Sequence, residues 1–158
     1  MTDLPPPAHR VQTAAVELGL NVEVKLMPKS TRTAEEAAAA VGCKVGQIVK
    51  SLIFKGKTSE TPYLRLVSGI NRVNEHAVEH VIGEAILRPD ADFVRDATGF
   101  AIGGIPPLGH PRQIRTWLDE DLLQYETVWA AAGTPNAVFE VDPEALRGAV
   151  SAHVIKVT

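Results

Sequence analysis

The sequence predicts a single α/β domain: one mixed, partly barrel-like β-sheet surrounded by helices. Three observations lead there. Short alternating apolar runs are interleaved with stretches of helical spacing along the whole chain. Glycine or proline punctuates most of the joins. The length, 158 residues, suits one domain with one core, and neither a repeat nor a linker interrupts it. Residues 1–158 therefore read as one domain, with 1–7 a polar, proline-rich tail.

The elements follow in order. Val11, Ala14, Ala15 and Leu18 recur at helical spacing, and Gly19 stops that helix. Val22, Val24 and Leu26 alternate as in a strand. Thr33 with Glu36 forms a capping box for an alanine-rich helix that runs to Val41 and stops at Gly42. Ile48 to Phe54 is a β-branched strand, with Tyr63 to Ser68 as its partner. Asn71 or Asn74 caps a helix reaching Val81. A short strand, Ile86 to Arg88, precedes a helix over Pro89 to Thr98 that ends at Gly99. Phe100 to Ile102 reads as a strand running into a glycine-proline loop. Ile114, Thr116 and Leu118 alternate, and Asp119 caps one helical turn. Thr127 to Ala131 and Ala137 to Val141 are strands around the turn 133–136. Asp142, Pro143 and Glu144 start the last helix, and His153 to Val157 closes as a strand.

Composition excludes several classes. Apolar residues are 45% and charged residues 22%, an ordinary globular balance. No apolar run reaches the roughly 18 residues of a membrane span. The N-terminus lacks a signal-peptide pattern, so the expected location is the cytoplasm and no membrane partner is expected. Cys43 is alone, which excludes an intrachain disulfide and reads as a packed or half-exposed thiol. The net charge of −3 argues against broad duplex binding. A local basic patch drawn from Lys29, Arg32, Lys44, Lys50, Lys55, Lys57, Arg112 and Arg115 stays open beside the plainer reading of scattered solvated charges.

Two features carry candidate chemistry. Lys50 shares a strand face with Leu52 and Phe54, opposite Val49, Ser51 and Ile53. It either points toward a pocket, where a buried amine needs an anionic partner, or snorkels to solvent. The stretch from Gly103 through Ile105, Pro106, Pro107, Leu108 and Gly109 to His110 combines backbone freedom with proline stiffness. It is either a structural turn or a rigid set of N–H donors for an oxyanion. No Walker or dinucleotide pattern follows it. His76 and His80 have a metal-binding spacing but lack the zincin order, and a solvated helix face explains them better; no metal or other cofactor is expected. His110 is a candidate general base beside the loop. Ser51, Ser68 and Ser151 have no nucleophile-elbow context.

These segments together resemble the YbaK/ProX family. The resemblance rests on Ala34 to Ala38, on Gln47 to Leu52, on Thr98 to His110 and on Ala132 to Asn136, in order along nearly the whole chain. It implies a free-standing relative of the editing domain inserted in bacterial prolyl-tRNA synthetases, with a mixed sheet wrapped by helices. Such proteins hydrolyse the ester of mischarged aminoacyl-tRNA. In this sequence the family's key lysine is Lys50, and the loop that positions the aminoacyl carbonyl is Gly103 to Pro107. This chain departs from one branch of the family: the branch that edits cysteinyl-tRNA looks to carry a serine and glycines after the late strand, where this chain has Ala131 and no serine. The edited amino acid is thus open between alanine, cysteine and another small residue.

The resulting expectation is an aminoacyl-tRNA deacylase. Lys50, Gly103, Gly104, Ile105, Pro107, Gly109 and His110 are its candidate catalytic residues. Lys29, Ser51, Ser68, Ala131 and Gly133 are the substrate-binding candidates. The expected partners are the acceptor end of mischarged tRNA and prolyl-tRNA synthetase. The rivals are a non-enzymatic nucleic-acid-binding module and a small-molecule esterase.

Overall fold

The structure, a computed structural model, describes residues 4–156. Helix α1 (Pro6–Glu17) begins at two prolines, which fit a first helical turn because N–H groups there have no helical acceptor. The helix therefore starts within the stretch read as a tail, and residues 1–3 lie outside the described residues. Ala8, Val11 and Ala15 form its buried stripe. Only Lys25–Leu26 forms strand β1. Residues 22–24 were expected to belong to it, but the Gln12 side chain takes the place of a neighbouring strand. Its Nε2 donates to the Val22 carbonyl (2.9 Å), and its Oε1 accepts from the Val24 N–H (2.8 Å).

Helix α2 (Ala34–Val41) opens on the expected capping box and ends on Gly42 in the left-handed region. After a short 3-10 turn over Val45–Gln47 come β2 (Ile48–Gly56) and β3 (Pro62–Ser68), paired antiparallel with Lys50 opposite Val67. Asn74 caps α3 (Glu75–Ile82), and Asp90 caps α4 (Ala91–Thr98), with β4 (Ile86–Leu87) between them. Residues 100–102 are not a strand. Phe100 drops into the core, and its N–H donates to Thr98 Oγ1 (3.0 Å), which turns the chain out of sheet geometry. Strand β5 (Arg115–Asp119) leads into a 3-10 helix over Glu120–Gln124 capped by Asp119. Strands β6 (Val128–Ala131) and β7 (Ala137–Val141), helix α5 (Pro143–Val150) and strand β8 (His153–Ile155) complete the chain, and Val157 of the expected last strand lies outside the described residues.

All eight strands join one mixed sheet in the order β1-β7-β6-β2-β3-β5-β8, with β4 paired to the far end of β2. The two faces of β2 decide where the site lies. Val49 and Ile53 join the main core with Leu64, Leu66, Leu118, Ala130 and Phe139, against the α1 stripe. Ile48, on the other face, packs with Trp129 and Val138 beneath Ala34, Ala37 and Ala38 of α2. Lys50, two residues on from Ile48, shares this second face. The main core therefore lies under the opposite face, and the short α2 leaves the Lys50 side partly uncovered.

Candidate functional site

A cavity of about 760 Å³ opens on that uncovered face, within the size range of small-ligand sites. Its apolar wall includes Ala34, Ala37 and Val41 of α2 with Ile48, Trp129 and Val138 of the sheet. Lys50, Arg32 and Arg72 bring positive charge, with Glu35 as the one carboxylate among the lining residues.

Lys50 is half-buried, and its ammonium donates to the Asn71 carbonyl (2.5 Å). Burial pulls its pKa below the ordinary lysine value, with Glu35 and Asp119 opposing and Arg72 reinforcing the shift. The turn that supplies Asn71 is held from beneath. Asp119, buried at the end of β5, accepts from the Ser68 N–H (3.0 Å) through Oδ2. Asn71 Nδ2 donates to the same oxygen and to Asp121 Oδ2, each at 2.7 Å. The Gly69 N–H returns to the Ile48 carbonyl (2.8 Å). The sheet and the acidic cap of the following 3-10 helix thus hold the lysine's acceptor in place.

The opposite rim is the first half of the glycine-proline loop. Gly103, Gly104 and Ile105 line the cavity, and their N–H groups have no acceptor among the described residues. Gly103 has φ +107°, the left-handed region that favours glycine. Gly104 is needed for a different reason: a Cβ there would lie 2.7 Å from the backbone N and C of Thr134. The two loops are locked together, because the Gly133 N–H donates to the Gly104 carbonyl (2.8 Å). The 133–136 turn is anchored in turn by Thr31 N–H to the Pro135 carbonyl (2.7 Å) and by Asn136 Nδ2 to the Met27 carbonyl (2.9 Å).

The second half of the loop goes elsewhere. Pro107, Gly109 and His110 line a separate cleft with Leu18, Arg112 and Thr116. The His110 ring sits edge-on to Phe100, its Nε2 is 2.9 Å from the Pro106 carbonyl, and burial pulls its pKa below the usual histidine value. Of the substrate-binding candidates, Ser51 and Ala131 line the Lys50 cavity, and the Ser51 hydroxyl is buried without a partner among the described residues. Ser68 is buried, its hydroxyl donating to the Gly46 carbonyl (2.7 Å), and does not line the cavity. Lys29 is exposed away from the lining, and Gly133 supports Gly104 from behind it.

Arg72, Asn71 and Asp119 are site features that the sequence reading left unassigned. The local signals were Asn71 as a candidate helix cap and Asp119 as the cap of a helical turn, whereas the partnership between them spans 48 residues. His76 and His80 are exposed on α3, and no group of three metal-ligating side chains occurs among the described residues. Burial and nearby Glu140 push the Cys43 thiol up, which disfavours its thiolate. Among the described residues no helix is long and apolar enough to cross a membrane.

The family model described as an aminoacyl-tRNA editing domain matches residues 28–149. A crystal structure of a proposed trans-editing enzyme for prolyl tRNA synthetase is 46% identical, covers 99% of each chain and superposes with a TM-score of 0.93. EbsC of Enterococcus faecalis, named as a proposed Cys-tRNA(Pro)/Cys-tRNA(Cys) deacylase, is 25% identical over 80% of this chain and 77% of its own. A proline–tRNA ligase of Fervidobacterium nodosum is 33% identical over 56% of this chain, which corresponds to 16% of the ligase.

Proposed function

The chain belongs to the aminoacyl-tRNA editing domain family, and from that premise we propose that it is a deacylase of proline tRNA mischarged with alanine, cysteine or another small amino acid. The observation that carries this reading is that Lys50 and Gly103–Ile105, whose N–H groups have no acceptor among the described residues, line one cavity with an apolar wall.

The reaction is hydrolysis of the ester between the amino acid and the terminal ribose. A water oxygen bonds to the carbonyl carbon, the ribose oxygen leaves with a proton, and free amino acid and tRNA result. The N–H groups of Gly104 and Ile105 stabilise the oxyanion. Each donor of this kind contributes about 3 kcal/mol to the transition state. Lys50 holds the phosphate or sugar end of the substrate, and the wall formed by Ile48, Trp129 and Val138 receives the amino-acid side chain. His110 faces the other cleft, so a substrate hydroxyl takes the role of base.

The test is a panel of purified proline tRNAs charged with proline, alanine, cysteine or serine, with ester loss followed over time. Faster deacylation of at least one mischarged species than of the proline species supports the proposal. Tight, salt-sensitive nucleic-acid binding with no turnover would replace it with the binding-module reading.

A further inference from the structure

A second chamber of about 630 Å³ adjoins the first and shares Lys50, Ser51, Leu52, Arg72, Ile102 and Ile105 with it. Its remaining walls come from the second half of β2, from Val73 and from Arg88 and Pro89 ahead of α4. Two properties set it apart from a packing defect. Its uncharged lining is largely apolar, with Leu52, Phe54, Val94 and Ile105 as a floor. Its three charged lining residues, Lys50, Arg72 and Arg88, are all cations, in a chain with three more acids than bases. Among the described residues Arg88 is held by one exposed pair, to Glu75 (3.1 Å), and exposed pairs are weak enough to be exchanged for a phosphate.

An apolar floor beneath a cationic rim matches a nucleotide, whose base buries a flat face and whose phosphates seek guanidinium groups. The chamber continues directly from the cavity assigned above to the aminoacyl ester, with Lys50 at the junction. Building on that reading, we infer that the second chamber seats the nucleotide immediately 5′ of the terminal adenosine. Its base lies on the apolar floor, and its phosphodiesters lie between Lys50, Arg72 and Arg88. Lys50 then contacts the phosphate that joins the two nucleotides, while the arginines hold the strand leading away from the site.

The experiment separates this inference from the proposed activity by using binding and turnover together. Wild type, Arg72→Ala, Arg88→Ala, the double variant and the control Lys57→Ala are compared. Lys57 is exposed and lies outside both chambers. One arm measures binding of a trinucleotide ending in cytidine-cytidine-adenosine and of adenosine alone. The other measures hydrolysis of mischarged tRNA and of the aminoacyl ester of adenosine. Each arginine is expected to contribute about tenfold to trinucleotide affinity. The double variant should also flatten the salt dependence by about one unit of slope. In Arg88→Ala, whose residue lines the second chamber and not the first, adenosine binding and ester hydrolysis on aminoacyl-adenosine should stay within about twofold of wild type. Trinucleotide affinity that is unchanged in the double variant, or lost equally in Lys57→Ala, overturns the chamber assignment. Arginine-dependent trinucleotide binding by a wild type that hydrolyses neither substrate keeps the chamber and removes the deacylase reading instead.

Discussion

Gly104→Ala tests how the site is built. A Cβ at this position would stand 2.7 Å from the Thr134 backbone N and C and 2.8 Å from its O, where ordinary contact begins at about 3.4 Å. The obstacle is backbone and cannot rotate away. Nor can the turn retreat, since the Pro135 carbonyl accepts from the Thr31 N–H and Asn136 Nδ2 donates to the Met27 carbonyl. The loop 103–105 must therefore move. Overpacking of this sort costs about 1–3 kcal/mol of stability. If the loop's N–H groups are the oxyanion donors proposed above, a displacement of about 1 Å lowers the rate by about 100-fold. Urea unfolding gives the first quantity, and single-turnover deacylation of mischarged proline tRNA gives the second. Gly148→Ala is the control: it sits exposed in α5 with open space around its Cβ, and alanine there should add about 0.5–1 kcal/mol of stability without touching the rate. If Gly104→Ala keeps both full stability and full rate, the docking of the two loops is not what positions the donors.

Three other consequences are measurable. Arg65 is fully buried, has no hydrogen-bond partner among the described residues, and is stacked 5.0 Å over Trp117; burial pushes its pKa down to about 10. Stacking returns about 2 kcal/mol of a desolvation penalty of several, so Arg65→Met should raise urea stability by about 1–2 kcal/mol, and a loss would show that the guanidinium has a partner. The lowered pKa of Lys50 means that its positive charge disappears at a pH below the ordinary 10.5, so kcat/KM should fall along an alkaline limb that Lys50→Arg moves upward. Coincident profiles for the two proteins would contradict a role for that charge. His110→Asn should lower stability by about 1 kcal/mol through its lost contact with the Pro106 carbonyl while leaving kcat within about twofold; a large fall in kcat would return His110 to the reaction.

What could be read in the sequence is what depends on neighbours a few residues apart. The helix starts at Thr33 and Asp142 are capped as read, Asn74 is the cap of the two asparagines offered, the helix read from Pro89 starts one residue past its Asp90 cap, and the β2–β3 pair follows from two β-rich runs around a polar loop. Errors fell where a distant group intervened. The Gln12 amide occupies the edge that Val22 and Val24 would have offered to a strand, and Phe100 leaves its run for the core. In the candidate site, Lys50 and the glycines of the loop stand out in the sequence because each is an unusual residue for its setting. The division of the loop does not: its two prolines show that it is stiff but not which way each half faces, and the structure sends 103–105 and 107–110 to different cavities. Arg72 escaped notice because nothing local marks it, and it gains its place beside Lys50 only when the Asp119 carboxylate draws the Asn71 turn over the sheet.

The central claim is that ester hydrolysis takes place in the cavity between Lys50 and the Gly103–Ile105 rim. The most direct test is single-turnover deacylation of alanyl- and cysteinyl-tRNA for proline by wild type and Lys50→Ala, with folding of the variant confirmed by its unfolding midpoint. The structure predicts that the variant folds and loses most of the deacylation, by about 100-fold or more if the lost ion contact is worth about 3 kcal/mol. A folded Lys50→Ala protein that deacylates at the wild-type rate would place the reaction elsewhere.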